Sequence, residues 1–248
     1  MRVVSLDYCA DQYVLALADR AQIAALSPGA ARDDSYFRER AAGLRRVRST
    51  LESALALRPD LIVRDWGGPW DSSEAFARFG VPVLEVDSVH DFAGARAMVL
   101  RAAEALDQRP RGAAIVADLD ARLAALQARA PPPRPVLYLS VAGASAGPGV
   151  MIDALIRAAG GRNFKTEPGW SVAPLEAVIQ TPPALIALGF FETGRTSMDA
   201  WSPARHPTLR RALARADIVS LPAASVSCEA WYAIDAAETI AAALARGA

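Results

Sequence analysis

The sequence has few of the residues that usually announce chemistry. Of its 27 basic residues only Lys165 is lysine, and it has just two histidines, His90 and His206, and two cysteines, Cys9 and Cys228. A bare zinc or manganese ion needs several imidazoles, thiolates or carboxylates converging on it, so two distant histidines argue against a metal site. The cysteines lie near opposite ends of the chain at no metal-ligand or CxxC spacing. Cys9 has no assured basic partner and reads as a small packed thiol rather than a nucleophile. A Cys9–Cys228 disulfide is the minority alternative. No G-x-S-x-G elbow occurs, and "GASAGPG" at 143–149 lacks the Gly-Lys-Ser/Thr of a phosphate-binding loop. Its glycines read as a turn into a helix starting near Met151, with an anion at that helix start as the weaker alternative.

Charge and apolar length exclude more. The formal net charge is zero, so no overall field draws the chain to nucleic acid. A local cluster remains: Arg32, Arg38, Arg40, Arg45, Arg46 and Arg48. The near absence of lysine is explained by GC-rich codon bias before any need for guanidinium chemistry. Apolar runs such as 81–86 fall far short of the roughly 20 residues that span a bilayer. A strand pattern begins directly after Met1, without the basic and apolar regions of a signal peptide. The expectation is a cytoplasmic protein or one whose leader has been removed.

What is present is a repeat. Residues 51–62 read "LESALALRPDLI" and residues 175–186 read "LEAVIQTPPALI". In both, Leu-Glu opens the unit, and Pro and then Leu-Ile follow at the same offsets. Leu51, Leu55 and Leu57, and in the second copy Leu175, Val178 and Ile179, form an apolar helical stripe. Pro59 and Pro183 forbid continuation of each helix, and a strand-length apolar run follows. Strand-like runs flank both copies: 2–6 and 81–88 around the first, 134–140 and 216–222 around the second. Apolar strands alternating with helices imply parallel sheets covered on both faces, hence an α/β fold of two Rossmann-like lobes. With 248 residues, 52% of them hydrophobic, the chain can fill two such cores.

Between the copies, Ile115, Leu119, Leu123 and Leu126 share one helical face, and Asp118 and Arg122 form an i,i+4 pair on another. Pro131 to Pro133 end that helix. At about 1.5 Å per residue it makes a rod of roughly 28 Å, a rigid spacer. Before it, 91–106 reads as a helix with Asp91 as N-cap. The expected organisation is an N-terminal α/β lobe at 1–108, a connecting helix at 109–131 and a C-terminal α/β lobe at 132–248.

Ligands of open parallel sheets bind at the carboxyl ends of the strands, which here places a site in the cleft between the lobes. The strand-end loops are 7–12, 27–34, 64–73 and 87–91 in the first lobe, and 141–149, 189–197 and 222–232 in the second. The loop 163–171 precedes the second repeated helix. These loops hold Tyr8, Trp66, Trp70, Trp170, Phe190, Phe191, Trp231 and Tyr232. Any one of them could simply plug the end of a sheet. Four of the five tryptophans gathered there point to a wide, partly apolar binding surface.

The order of these segments resembles the class III periplasmic solute-binding proteins of ATP-driven importers, the group that includes cobalamin- and ferric-siderophore-binding proteins. The segments "RVVSLDYCADQYVLALADRAQIAALS", "LRPDLIV", "GVPVLEVDS" and "SAGPGVMIDALIRAAGGRNF" carry the likeness, which extends over essentially the whole chain. It implies a non-enzymatic, monomeric protein of the periplasm that delivers a small-molecule ligand to an inner-membrane permease dimer. It also implies a leader that this sequence lacks, with Met1 an added start codon. The family's glutamate pair, which docks into arginine pockets of the permease, carries over onto Glu52 and Glu176. A single glutamate there would also suit a helix dipole; two at matched positions point to docking.

Tyr8, Trp66, Trp70, Trp170, Phe190, Trp231 and Tyr232 are the expected ligand-binding aromatics. Where a cobalamin binder presents Trp, this chain reads "GLRRVRST", so Arg45 and Arg46 suit an anionic ferric chelate, or else form a solvated face of an arginine-rich protein. Corrinoid and ferric siderophore both remain open as ligand, with no intrinsic cofactor. The other readings are an enzyme or a sensor on the same two-lobed scaffold, acting on or detecting a bound cofactor.

Overall fold

The structure is a computed structural model that describes residues 1–65, 72–130, 132–190, 207, 211 and 216–246. The chain divides into two compact units, Met1–Ser88 with Arg96–Asp118, and Val89–Ala95 with Leu119–Ala248.

The first unit is built on a four-stranded parallel sheet in the order β2-β1-β3-β4, formed by β1 (Val3–Ser5), β2 (Ile23–Ala25), β3 (Leu61–Asp65) and β4 (Val83–Val86). Helices α1 (Tyr8–Leu17), α2 (Leu51–Leu55) and α3 (Ser72–Ala77) alternate with the strands. Val3, Val4, Ile62 and Val63 have no exposed surface, which is why β1 and β3 read as unbroken apolar runs rather than alternating ones. Val4, Leu6, Ala25, Ala54, Leu57, Ile62 and Phe76 form one core cluster, with Leu51 and Leu55 packed against it. At about 25 cal/mol per Å² of apolar surface removed from water, each large side chain of that cluster contributes roughly 1.5–3 kcal/mol.

The second unit repeats this plan. Strands β5 (Pro135–Ser140), β7 (Arg162–Asn163), β9 (Leu185–Gly189) and β10 (Asp217–Leu221) make a parallel sheet in the order β10-β9-β5-β7, with β6 (Ala144–Ala146) and β8 (Trp170–Val172) forming a separate pair. Matching β1 with β5, β3 with β9 and β4 with β10 makes the two sheet orders equivalent. The sequence repeat becomes α2–β3 in one unit and α7 (Leu175–Gln180) with β9 in the other. Equivalent positions do equivalent work: Ala54 and Val178 are buried, and so are Ile62 and Ile186.

Two long helices follow the first sheet. In α4 (Phe92–Ala105), the Gly94 amide donates to the Asp91 carboxylate at 2.8 Å, the N-terminal cap expected from sequence. Helix α5 (Arg109–Ala128) has 20 residues and is about 30 Å long; its first half belongs to the first unit and its second half to the second. A Cβ added at Gly112 would lie 2.3 Å from the Cβ of Ala103, so α4 and α5 approach too closely there for any side chain. Leu119 is buried, and Ile115, Leu123 and Leu126 are half-buried on the same face. Arg122 binds Glu238 through Nε at 2.8 Å and Nη2 at 2.6 Å, and reaches Asp235 at 2.5 Å, fastening α5 to α9 (Ile234–Arg246). Hydrogen bonding to Glu238 above all holds that guanidinium above its ordinary pKa range.

Three segments expected as loops are ordered elements. Residues 144–146 and 170–172 pair antiparallel, Ala144 opposite Val172 and Ala146 opposite Trp170. Strands of three residues, one of them Ala-Ser-Ala, are too short and too small-chained to show a period-2 pattern. Residues 222–232 contain the short helix α8 (Ala223–Val226), followed by a 3-10 turn at Trp231–Ala233. The third segment, in the loop after β2, is a 3-10 turn at Pro28–Ala31 with Ser27 as its cap.

Candidate functional site

In each unit the carboxyl edge of the parallel sheet gathers the loops that can meet a ligand. In the first unit, Asp7 organises that edge. Its Oδ1 accepts from the Ala10 amide at 3.1 Å, capping α1, and its Oδ2 accepts from the Asp65 amide at 2.7 Å, tying the helix start to the end of β3. Burial raises the pKa of Asp7 against the opposing effect of these hydrogen bonds.

One turn further along, Asp11 and Gln12 are fully buried and hold the loop after β2 against α1. Asp11 accepts from the Ser27 amide at 3.1 Å and the Ser27 hydroxyl at 2.6 Å. Burial pushes its carboxyl up to about 7, despite hydrogen bonds from Ser27 and Ser5. Gln12 donates to the Tyr8 carbonyl at 2.6 Å and the Ser35 hydroxyl at 2.9 Å, and accepts from the Phe37 amide at 2.9 Å.

Tyr8, the first residue of α1, is half-buried. The Arg32 guanidinium carbon lies 4.4 Å from the centroid of its ring, within cation–π range. Arg45 and Arg46 are exposed where the chain passes Leu26, whose amide donates to the Arg45 carbonyl at 2.9 Å and whose carbonyl accepts from Val47 at 3.0 Å. His90 is also exposed. Trp66 and Trp70 lie outside the described residues, as do Phe191 and His206.

In the second unit, Trp170 stands on β8 with half its surface exposed, packed edge-on to Tyr138 of β5 at 5.7 Å between centroids. The turn leading into β8 is closed by the chain's one lysine. The Lys165 ammonium, 2% exposed, donates to the carbonyls of Glu167 and of Gly169, the latter at 3.3 Å. Gly147 donates to Gly169 at 2.9 Å, and a Cβ on Gly147 would fall 1.8 Å from the Glu167 carbonyl oxygen. The turn therefore packs directly on the backbone before α6 (Met151–Ala158). Phe190, just beyond β9, has φ of 67°, a left-handed conformation uncommon for a non-glycine residue. Trp231 and Tyr232 are buried, their rings edge to face at 5.1 Å.

Glu52 and Glu176 are each the second residue of the repeated helix, and both are exposed. Thr50 caps the first helix by accepting from Ser53 at 3.3 Å; Pro174 precedes the second without a side-chain cap. Each glutamate thus stands at a helix start where a carboxylate is favoured and is open to solvent.

One sequence expectation is corrected. Neither cysteine is a free thiol: both Cys9 and Cys228 are disulfide-bonded. From the sequence, pairing is the lesser alternative because both cysteines fall in predicted cleft loops, and a bond there would tie together a site that must admit ligand. Asp11, Gln12 and Asp34 are not among the residues expected from sequence, and Arg32 and Lys165 appear there only as a member of an arginine cluster and as the one lysine. Asp7 ahead of an apolar helical stripe was a readable cap signal, and a single lysine among arginines was a readable anomaly.

A family model described as "Periplasmic binding protein" matches residues 3–211. No curated protein sequence matches. Among solved structures, the periplasmic heme-binding protein HutB of Vibrio cholerae is similar at a TM-score of 0.80 and 20% identity, covering 98% of each chain. The periplasmic heme-binding protein BhuT, in complex with two hemes, is similar at 0.74 and 25% identity, covering 99% of this chain and 98% of its own. The periplasmic vitamin B12 binding protein BtuF of Vibrio cholerae is similar at 0.73 and 18% identity, covering 99% and 97%.

Proposed function

From the premise that this chain belongs to the periplasmic binding protein family, as the substrate-binding component of an ABC importer and not an enzyme, we propose that its cargo is a large, ring-containing or chelate, metal-bearing nutrient. A corrinoid, a heme and a ferric siderophore all fit that description. The first two are what the similar structures are named for. The observation that carries the reading is the aromatic surface at the second sheet: Trp170, half exposed and braced by Tyr138, offers a rigid face of the kind that stacks on a planar ligand. Tyr8 under Arg32 at the first sheet is a second such group. Trp66, Trp70, Phe190, Trp231, Tyr232, Arg45 and Arg46 complete the proposed ligand set.

Delivery is proposed to run through Glu52 and Glu176. What supports this is their identical place in the internal repeat and their exposure. Two carboxylates on one monomer can engage two arginine-bearing subunits of a permease dimer bidentately. The proposed compartment is the periplasm. No helix among the described residues is long and apolar enough to cross a membrane.

The test of the cargo is intrinsic tryptophan fluorescence of the native protein titrated with cyanocobalamin, hemin and a ferric catecholate, beside the absorption spectrum and mass of whatever co-purifies. Quenching by one of the three with saturable affinity is expected. No quenching by any of them would sink the ligand class.

A further inference from the structure

Arg32 opens the arginine cluster of the first unit and has no part in the docking proposal, yet that unit is built to hold it still. Its loop is fixed at both ends by buried side chains of α1: Asp11 takes Ser27 by amide and hydroxyl, and Gln12 takes Ser35 and Phe37. Between these anchors Ser35 donates to the Ala30 carbonyl at 2.8 Å. The loop also lies directly on Tyr8, for a Cβ on Gly29 would fall 2.5 Å from the Tyr8 Cβ. No other residue type allows that approach.

Within this frame Arg32 is fixed twice more. Its Nε donates to Asp34 Oδ1 at 2.8 Å and its Nη2 to Asp34 Oδ2 at 2.6 Å, a bidentate pair with a carboxylate that is itself buried. Its guanidinium lies over the Tyr8 ring. A guanidinium has five N–H donors, and Asp34 uses two. Three remain on a side chain that is 31% exposed, at the carboxyl edge of the sheet, where β1 and β2 end. Holding a long side chain in one conformation costs entropy. Here the protein's own Asp34 and Tyr8 meet that cost, as pre-organisation for binding requires.

We propose that Arg32 is a specificity-determining residue of the ligand site, donating from its free N–H groups to a carboxyl-derived oxygen at the rim of the ring-shaped cargo. This rests on the cargo reading given above. Because Asp34 neutralises the guanidinium, the fork acts by geometry more than by net charge, so it accepts an amide oxygen as readily as a carboxylate. Lysine cannot replace it, since an ammonium cannot bind Asp34 in bidentate fashion, lie flat on Tyr8 and keep donors in a fixed fork.

The experiment measures the affinity of native protein, Arg32→Met, Arg32→Lys and Asp34→Asn for hemin, whose rim carries carboxylates, and for cyanocobalamin, whose rim carries amides. For whichever the native protein binds, Arg32→Met is expected to lose about 10- to 100-fold, the worth of a hydrogen bond to a charged group. Arg32→Lys should rescue little of it, and the native-to-variant ratio should change little between low and high salt. Asp34→Asn separates the two sources of oxygen. With its charge released, Arg32 should bind hemin more tightly and with a new salt dependence, and leave cyanocobalamin affinity unchanged. Melting temperatures of all four proteins distinguish loss of contact from loss of fold. Native affinity in Arg32→Met, or equal recovery in Arg32→Lys, would overturn the inference while the cargo reading stands. Failure of the native protein to bind any macrocycle or ferric chelate would overturn both.

Discussion

Asp11 is a carboxyl with no exposed surface, and its burial has a measurable consequence for stability. Burial raises its pKa from 3.8 to about 7 in the folded protein, with the charge of Asp7 adding to the rise. Between those two values the native state binds a proton that the unfolded chain has released. The sign is therefore fixed: this group stabilises the fold fully below about pH 4, and the contribution is lost as pH rises through about 7. At about 1.4 kcal/mol per pKa unit the whole span is worth on the order of 4 kcal/mol. Asp11→Asn cannot ionise and removes the slope. It also gives up one acceptor oxygen to Ser27, worth about 1–3 kcal/mol. Urea unfolding of native protein and variant at about pH 5 and pH 8 measures the difference directly, and subtracting one protein from the other cancels every other titrating group. The variant is expected to be the less stable at the lower pH, and to equal or exceed the native protein at the higher. A native-minus-variant difference that stays flat, or grows with pH, would refute the reasoning.

Other perturbations test other contacts. Trp170→Ala removes the exposed ring braced by Tyr138 and should weaken ligand binding by about 10-fold or more, while the melting temperature moves little. Lys165→Met leaves the carbonyls of Glu167 and Gly169 without their buried ammonium; a loss of roughly 2–3 kcal/mol in denaturant unfolding is expected. Gly147→Ala drives a methyl into the Glu167 carbonyl and should shift the turn before β8, seen as a change in Trp170 fluorescence. Arg122→Leu breaks a three-contact ion cluster between α5 and α9 and should lower stability by about 1–3 kcal/mol, with ligand affinity retained.

The plan of two parallel α/β units was legible in the sequence because helices on both faces force apolar runs of strand length, and prolines at fixed offsets mark where each helix gives way. Val4, Ile62, Leu137 and Ile186 are buried for that reason. Glu52 and Glu176 were legible through the repeat, which reports position in a unit without any structure. The ligand edge was legible only as a set of loops. That Trp170 sits on a three-residue strand, and that Arg32 lies across Tyr8, depends on pairings between segments that neither periodicity nor spacing encodes. Asp11 and Gln12 were hidden for a related reason: polar residues on a helix read as its solvent face until the loop that covers them is known.

The central claim is delivery of a bound cargo to a permease through paired glutamates, and reconstituted transport tests it most directly. The membrane transporter is loaded with native protein or with the Glu52→Ala, Glu176→Ala double variant, and cargo uptake and ATP hydrolysis are followed beside the cargo affinity of each protein in solution. The double variant is expected to bind cargo as the native protein does and to support neither uptake nor stimulated hydrolysis. Native rates of uptake with both glutamates removed would contradict it.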